Sequence, residues 1–582
     1  MKKSILIITL FLLALTITPA QAQAPEGEEY IVQADDWLST IAEKQYGDPL
    51  AYAAIIEATN AKAAEDESFT VIDDPSVIEV GQKLWLPTEA GDVALVEAAP
   101  TPSANFGDAW EAVACTTFNL PDAIAAQSDC GYVTVPELHS QPDGPTIQVA
   151  VVRTRSTGDN PAPDPLFMEQ GGPGDSTIAV FPGSGLPALT NLQDILATRD
   201  MVFVEERGTF YSRPSLVCAG KVEHEIQAAK GLEEDTDHSF VVACRDRLLA
   251  EGVNFNAFNS IENAADMYFV AETLGYDSFN YYGVSYGTLL GQYVIEQAEE
   301  HTAQLRSVML DAVVAPNIEF NATASSTVSY ALRNLFAECA QDEECNQRFP
   351  DLETVFFSLV DQLNQEPVSA TLTVTDEAGE TLETIETKLD GNDVALATFT
   401  LLYNARANRS LPRLIYQAAQ SNEFGWVAEA VAPGYEATPK AEAMYIPVLC
   451  ARANSNQADS ATYFDPPYEA MVFLGEEAGQ DLLQNCEIIQ VELEEAFAFD
   501  NTDTPTLIMN GSRDPITPLP YGQYVGSKLD TAYVYTVPGS GHGSIFTEPC
   551  AGQIVLDFLA TPEQTPDGSC LSQIQPQFDY GE

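Results

Sequence analysis

From about residue 130 onward, short apolar runs alternate with stretches whose apolar positions recur at helical spacing. Runs at 146–152, 165–168, 201–204, 279–282, 307–311, 506–509 and 533–537 predict strands. Residues 264–274 and 288–295 predict helices between them. Strands that are apolar on both faces, separated by helices, imply a mostly parallel, doubly wound sheet covered on both sides. In such a sheet the chemistry sits at the carboxyl ends of the strands.

Two regions break this rhythm. Residues 317–500 separate two sheet strands and hold helical patches at 328–339, 355–363 and 411–420, with a polar, strand-like stretch at 371–388. This predicts a largely helical lid between a first core part, 108–316, and a C-terminal core part, 501–582. Upstream, residues 29–88 have the pattern of a separate strand–helix–helix–strand unit, and 89–107 has the Ala-, Glu-, Pro- and Ser-rich composition of an extended linker. The chain begins with Lys2 and Lys3, an apolar run over 4–18 and the small-residue step Ala20-Gln21-Ala22. That is a secretory signal peptide over 1–22, with mature chain expected from near Gln23. The run is short for a retained membrane anchor, so no membrane association is expected after cleavage.

Charge narrows the partners. With 87 acidic and 25 basic residues the formal net charge is −62, which repels nucleic acid and anionic lipid. The ten cysteines of an exported chain imply disulfides. Closing the shortest loops pairs Cys115–Cys130, Cys218–Cys244, Cys339–Cys345, Cys450–Cys486 and Cys550–Cys570. No C-x-x-C pair occurs and the five histidines do not cluster with cysteine, so neither a metal nor another cofactor is expected.

The chemistry centres on Gly283-Val284-Ser285-Tyr286-Gly287, a G-x-S-x-G between a predicted strand and a predicted helix. A sharp turn there exposes the Ser285 hydroxyl, and its glycines avoid collisions between strand and helix. The stretch Gly171-Gly172-Pro173-Gly174 also follows a strand. It lacks the Lys-Ser/Thr of a phosphate loop and the G-x-G-x-x-G spacing, so nucleotide binding is not expected. An oxyanion hole built from the N–H groups of Gly172 and Tyr286 fits acyl transfer instead. His542, in Gly541-His542-Gly543 after the last strand, is the expected base. Asp514 follows the preceding strand and is the expected carboxylate partner, with Asp311 as its rival at another strand end. The chain order Ser, Asp, His is that of the α/β hydrolases.

Two resemblances follow from these residues. The stretch from Tyr30 through Asp36-Trp37-Leu38-Ser39-Thr40-Ile41-Ala42 to Gly81-Gln82-Lys83-Leu84-Trp85-Leu86-Pro87 resembles a LysM domain. That implies binding to N-acetylglucosamine-containing glycan such as peptidoglycan or chitin. The blocks Gly171-Gly172-Pro173-Gly174, Glu206-Arg207-Gly208-Thr209, Gly283 to Thr288, Leu310-Asp311-Ala312, Asn510-Gly511-Ser512-Arg513-Asp514-Pro515 and Gly541-His542-Gly543 resemble secreted α/β hydrolases of the tripeptidyl aminopeptidase and prolyl aminopeptidase type. The resemblance implies an α/β-hydrolase fold and release of residues or short peptides from peptide N-termini. Prolyl aminopeptidases usually carry histidine where Gln170 stands, and Asp-Gln where Glu205-Glu206 stands. A lid carboxylate would pair with the substrate ammonium, with Glu319 and Glu338 as candidates. A carboxylesterase with the same triad, and a glycan-binding surface protein with a silent hydrolase domain, are the alternatives. All three place the protein outside the cell or at the cell wall.

Overall fold

The computed structural model describes residues 106–581, apart from 186–191, 232–237, 376–380, 405 and 435–438, and parts of the N-terminal segment, chiefly 27–32, 52–63, 68–72 and 82–87. The expected signal peptide, nearly all of the 89–107 linker and most of the first helix expected in 29–88 lie outside the described residues. The chain divides into two compact units, 1–102 and 103–582.

In the smaller unit, β1 (Gly27–Ile31) pairs antiparallel with β2 (Lys83–Pro87), with Glu29 opposite Trp85. The helix Tyr52–Ala63 buries Ile55 and Ala58 together with Leu84 and Leu86 of β2. Asn60 fixes the following loop twice: its Nδ2 donates to Ile72 O (2.9 Å) and its Oδ1 accepts from Ile72 N (2.7 Å).

The larger unit is built on a nine-stranded sheet. It opens antiparallel with β3 (Trp110–Val113), β4 (Ser128–Pro136) and β5 (Thr146–Thr154). It continues with β6 (Ala162–Glu169), β7 (Arg199–Val204), β8 (Ser278–Val284) and β9 (Gln304–Asp311), and later adds β12 (Thr506–Gly511) and β13 (Ala532–Val537). The spatial order is β13-β12-β9-β8-β6-β7-β5-β4-β3, parallel from β13 through β7. Each apolar run expected to form a strand lies within one of these strands. The short edge strand β3 and its neighbour β4 were not legible as such. β4 carries Gly131 where the Trp110 ring lies against it: a Cβ there would sit 2.4 Å from Trp110 Cζ2.

Alternate residues of the parallel strands enter two different cores. Phe167, Val202, Val204 and Tyr281 pack on one face, and Met168, Met201, Phe203 and Tyr282 on the other. This is why the strands read as continuous apolar runs rather than alternating ones. The helix Ser260–Leu274 covers the first face. It starts where the Asn259 side chain accepts the Glu262 N–H and stops at Gly275, whose φ of 80° ends the helical path. Its Asp266 holds the Arg207 guanidinium through two hydrogen bonds of 2.8 and 2.7 Å. Arg207 also donates to the carbonyls of Glu137 and Ala257, so the Glu-Arg-Gly block after β7 is pinned from beneath.

Between β9 and β12 lie the helices Ala324–Gln341, Leu352–Gln365, Gly391–Tyr403, Leu411–Ser421 and Val472–Ile488. The polar stretch expected to be strand-like forms the hairpin of β10 (Val368–Thr375) and β11 (Thr381–Leu389). These elements enclose an apolar cluster of their own, including Leu335, Phe356, Leu372, Ile385 and Ile415. All five disulfides join the cysteines that close the shortest loops.

Candidate active site

The strand order reverses around β6 and β8, since β7 lies to one side of β6 and the later strands to the other. Ligand crevices form at such switch points. Three backbone segments meet there. A Cβ on Gly283 would lie 2.1 Å from Gly287 O, and one on Gly287 would lie 2.5 Å from Gln170 O. Only glycine permits strand, helix and loop to approach this closely. Ser285 sits between them at φ 58° and ψ −124°. That region costs about 1–3 kcal/mol for a residue with a side chain and must be held by its surroundings. The Ser285 N–H donates to Asp311 O at 3.0 Å, and Ser285 O accepts from Thr288 N at 2.9 Å. The helix Tyr286–Glu296 starts immediately after, so the Tyr286 N–H lies in its first turn, where no intrahelical acceptor exists.

The loop after β6 lies on the serine. A Cβ on Gly171 would approach Ser285 Cβ to 2.6 Å, and Gly172 adopts φ +114°. Gly171 and Tyr286 therefore flank Ser285 from the β6 loop and from its own helix, and Gly172 follows Gly171 directly.

His542 follows β13. Its N–H donates to Tyr403 O at 2.9 Å, and the Tyr403 ring lies against the imidazole with centroids 4.3 Å apart. His542 Nδ1 lies 2.9 Å from Asp514 Oδ2 and 2.9 Å from Thr517 Oγ1. The Thr517 hydroxyl gives its one proton to Asp514 Oδ2 at 2.7 Å, so it presents a lone pair to the imidazole. Two acceptors facing Nδ1 assign the proton to that nitrogen. Nε2 is left with its lone pair, buried and without a hydrogen-bond partner among the described residues.

Asp514 is fully buried. Burial disfavours its charged form, but the His542 ring and the N–H groups of Thr517 (2.9 Å) and Ile516 (3.0 Å) outweigh that and hold its carboxyl below the usual range. Asp311 is placed differently. Its carboxylate accepts from Ser544 N at 2.9 Å, Ile545 N at 2.8 Å and Tyr282 Oη at 3.2 Å. It holds the loop that follows the histidine and makes no hydrogen bond to the imidazole. Of the two carboxylates weighed from sequence, Asp514 is the one that meets the ring.

Both expected ammonium partners already have partners of their own. Glu338 is bound to Arg513 Nε and to Ser512 Oγ (2.9 Å), which secures the turn bearing Asp514. Glu319 accepts the N–H groups of Asn321 (3.0 Å) and Ala322 (2.6 Å) in its own chain turn. Thr517 and Tyr403 were not singled out from sequence. Thr517 carries a local signal, a hydroxyl three residues beyond the acid. Tyr403 carries none, because the contact joins segments 139 residues apart (542 − 403).

The sheet order, the serine at the sharp turn after β8 and the acid and imidazole after the next strands define an α/β-hydrolase fold. Residues 471–570 match the family described as TAP-like protein. Over 276 residues the chain is 30% identical to serine protease Hip1 of Mycobacterium tuberculosis, covering 44% of this chain and 51% of that protein. It is 30% identical to the tripeptidyl aminopeptidase of Streptomyces lividans, over 38% of this chain and 40% of that one. It is 28% identical to carboxylesterase B of M. tuberculosis, over 49% and 56%. The chain thus spans about half the length of the relatives it matches.

Proposed function

We propose that this chain is a secreted serine hydrolase that releases residues or short peptides from peptide N-termini. The observation that carries the reading is the His542 ring. One nitrogen is held against a charged, buried Asp514, the other is a buried lone pair with no hydrogen-bond partner among the described residues, and Ser285 stands separately at the strained turn after β8. Ser285 Oγ attacks the scissile carbonyl carbon as His542 Nε2 takes its proton. The carbonyl oxygen becomes an oxyanion facing the N–H groups of Gly172 and Tyr286. Collapse expels the leaving amine, which takes the proton from His542 and leaves an acyl-Ser285. Water, deprotonated by His542, then releases the acid and restores the serine. The likeness to a serine protease and to a tripeptidyl aminopeptidase supports peptide substrates. The likeness to carboxylesterase B supports the second reading, an esterase on the same machinery.

In the first reading a carboxylate near the serine pairs with the substrate ammonium, and Asp175 lies in the loop concerned. Its carboxyl carbon would lie 3.2 Å from a Cβ on Gly172, which sets it beside the oxyanion loop. The segment 317–500 acts as a lid that restricts access to short chains. It already supplies Tyr403 to the imidazole. The unit 29–88 tethers the enzyme to N-acetylglucosamine-containing glycan, and the five disulfides fit a protein that works outside the cell.

Asp514→Asn should keep the fold and lower turnover by about three to four orders of magnitude, because the imidazole would adopt the wrong tautomer. Asp311→Asn should cost much less. Steady-state kinetics with the opposite ranking would move the acid to Asp311. N-acetylating a good peptide substrate should lower kcat/KM at least about a hundredfold, about 2.7 kcal/mol, by removing the charge that a site carboxylate meets. Equal rates on blocked and free peptides would sink the aminopeptidase reading and leave an esterase or endopeptidase. The full-length mature chain should co-sediment with peptidoglycan or chitin and a chain lacking 23–102 should not; equal recovery of both would refute the tether.

A further inference from the structure

Three carboxyls lie behind the nucleophile at the ends of β6 and β7: Glu169, Glu205 and Glu206. All are essentially inaccessible, at 0%, 0% and 1% exposure. Strand alternation sorts them. Phe167 and Val204 face the core beneath the helix Ser260–Leu274, whereas Met168 and Phe203 face the other core. Glu169 ends β6 and Glu206 follows β7 by two residues; if the alternation continues, both lie on the first face, where Asn263 of the helix meets Glu206, while Glu205 points to the opposite one.

Their hydrogen bonding differs accordingly. Glu205 is supplied with donors: Ser176 Oγ and Ile178 N at 3.0 Å on one oxygen, and Tyr211 N at 3.3 Å on the other. Glu169 and Glu206 are not. Glu169 Oε2 accepts only from Thr177 Oγ1 (2.9 Å), and Glu206 Oε2 only from Asn263 Nδ2 (2.9 Å). The Oε1 atom of each is buried with no hydrogen-bond partner among the described residues. A buried oxygen without a donor is costly as part of a carboxylate, and two of them on one face repel. A single proton held between them removes both problems.

We propose that Glu169 and Glu206 share one proton through their Oε1 atoms, and that this pair is a positioning group that sets the oxyanion loop against Ser285. The proposal rests on the serine-hydrolase reading above. The placement explains the effect. Glu169 stands in register with Gly283, the first glycine of the serine turn, and is followed directly by Gln170-Gly171-Gly172. A Cβ on Gly287 would lie 3.0 Å from Glu169 O, so the strand end has no freedom to shift without moving the turn. Asn263, which holds Glu206, comes from the helix that also supplies Ser260 to the Tyr286 hydroxyl at 3.0 Å.

The electrostatics agree. Burial, then the Glu206 charge, pushes the Glu169 carboxyl well above the usual range. Burial, then the charges of Glu205, Asp175 and Asp266, does the same to Glu206. Glu205 is pushed by burial to about 7 despite its donors. Burial raises the phenols of Tyr281 and Tyr286, so neither adds a further negative charge near the pair. A carboxyl whose proton is held more tightly in the folded chain stabilises the fold below the ordinary carboxyl range. That contribution is lost as the pH rises through the folded value. Loss of the shared proton leaves two facing carboxylates and pushes the loop off the serine.

The test uses an uncharged acyl ester, so that no substrate amine titrates, with kcat and KM measured from about pH 5 to pH 10. The wild type should lose kcat on the alkaline side. Glu169→Gln offers an amide N–H to Glu206 in place of the proton. It should keep neutral-pH kcat within about threefold and move the alkaline decline up by at least about one pH unit. Glu169→Ala should lower kcat at least about tenfold with KM little changed. Thermal unfolding provides a readout independent of the serine: the alkaline fall in Tm of the wild type should be reduced in Glu169→Gln. An unchanged alkaline decline of both kcat and Tm in Glu169→Gln would overturn the pair, including the case in which Glu205 alone produces that decline. A wild type without esterase turnover would instead count against the serine-hydrolase reading, and the Tm comparison would still decide the pair.

Discussion

Asp311 ties the two halves of the site together. Its backbone carbonyl accepts the Ser285 N–H and so holds the strained turn. Its carboxylate accepts the N–H groups of Ser544 and Ile545 and so holds the loop that begins at His542. One residue at the end of β9 therefore spaces serine and imidazole from opposite ends of its own length. The remaining supports build outward from this. Arg513 and Glu338 secure the turn of Asp514, and Arg207 with Asp266 secures the segment after β7. In a chain with only 25 basic residues, both of these arginines are spent inside, against buried or half-buried acids.

Buried carboxyls are handled in two ways around the site. Asp514 has a ring nitrogen, a hydroxyl and two backbone N–H groups, and these keep it charged. Glu169 and Glu206 have one donor each, which is too few for two charges. The contrast follows from position. Asp514 stands in a turn, where backbone N–H groups are free to point inward. Glu169 ends β6 and Glu206 follows β7, and each receives a single side-chain donor. A charged acid that orients the base and a proton-holding pair that orients the loop then occupy the same few layers of the sheet.

Much of this was legible in the chain. Apolar runs without alternation located the strands from β5 onward; the central ones are buried on both faces, and only the edge strand β13 is half-exposed. The glycines around Ser285 were informative because three backbones touch there. Asp514 could be preferred to Asp311 only from strand order, and the ring contact now gives the physical reason. What sequence could not supply were contacts between distant segments. Tyr403 on His542, Glu338 on Arg513 and the common face of Glu169 and Glu206 all depend on which strands become neighbours. Glu319 and Glu338 looked available for a substrate because their partners are invisible along the chain.

The central claim is that Ser285 is a nucleophile activated by His542. It is tested most directly by treating the mature protein with a fluorophosphonate and mapping the modified residue by peptide mass spectrometry. The account predicts one adduct, on Ser285, absent in Ser285→Ala and strongly slowed in His542→Ala. An adduct on another serine, or labelling that survives in Ser285→Ala, would contradict it.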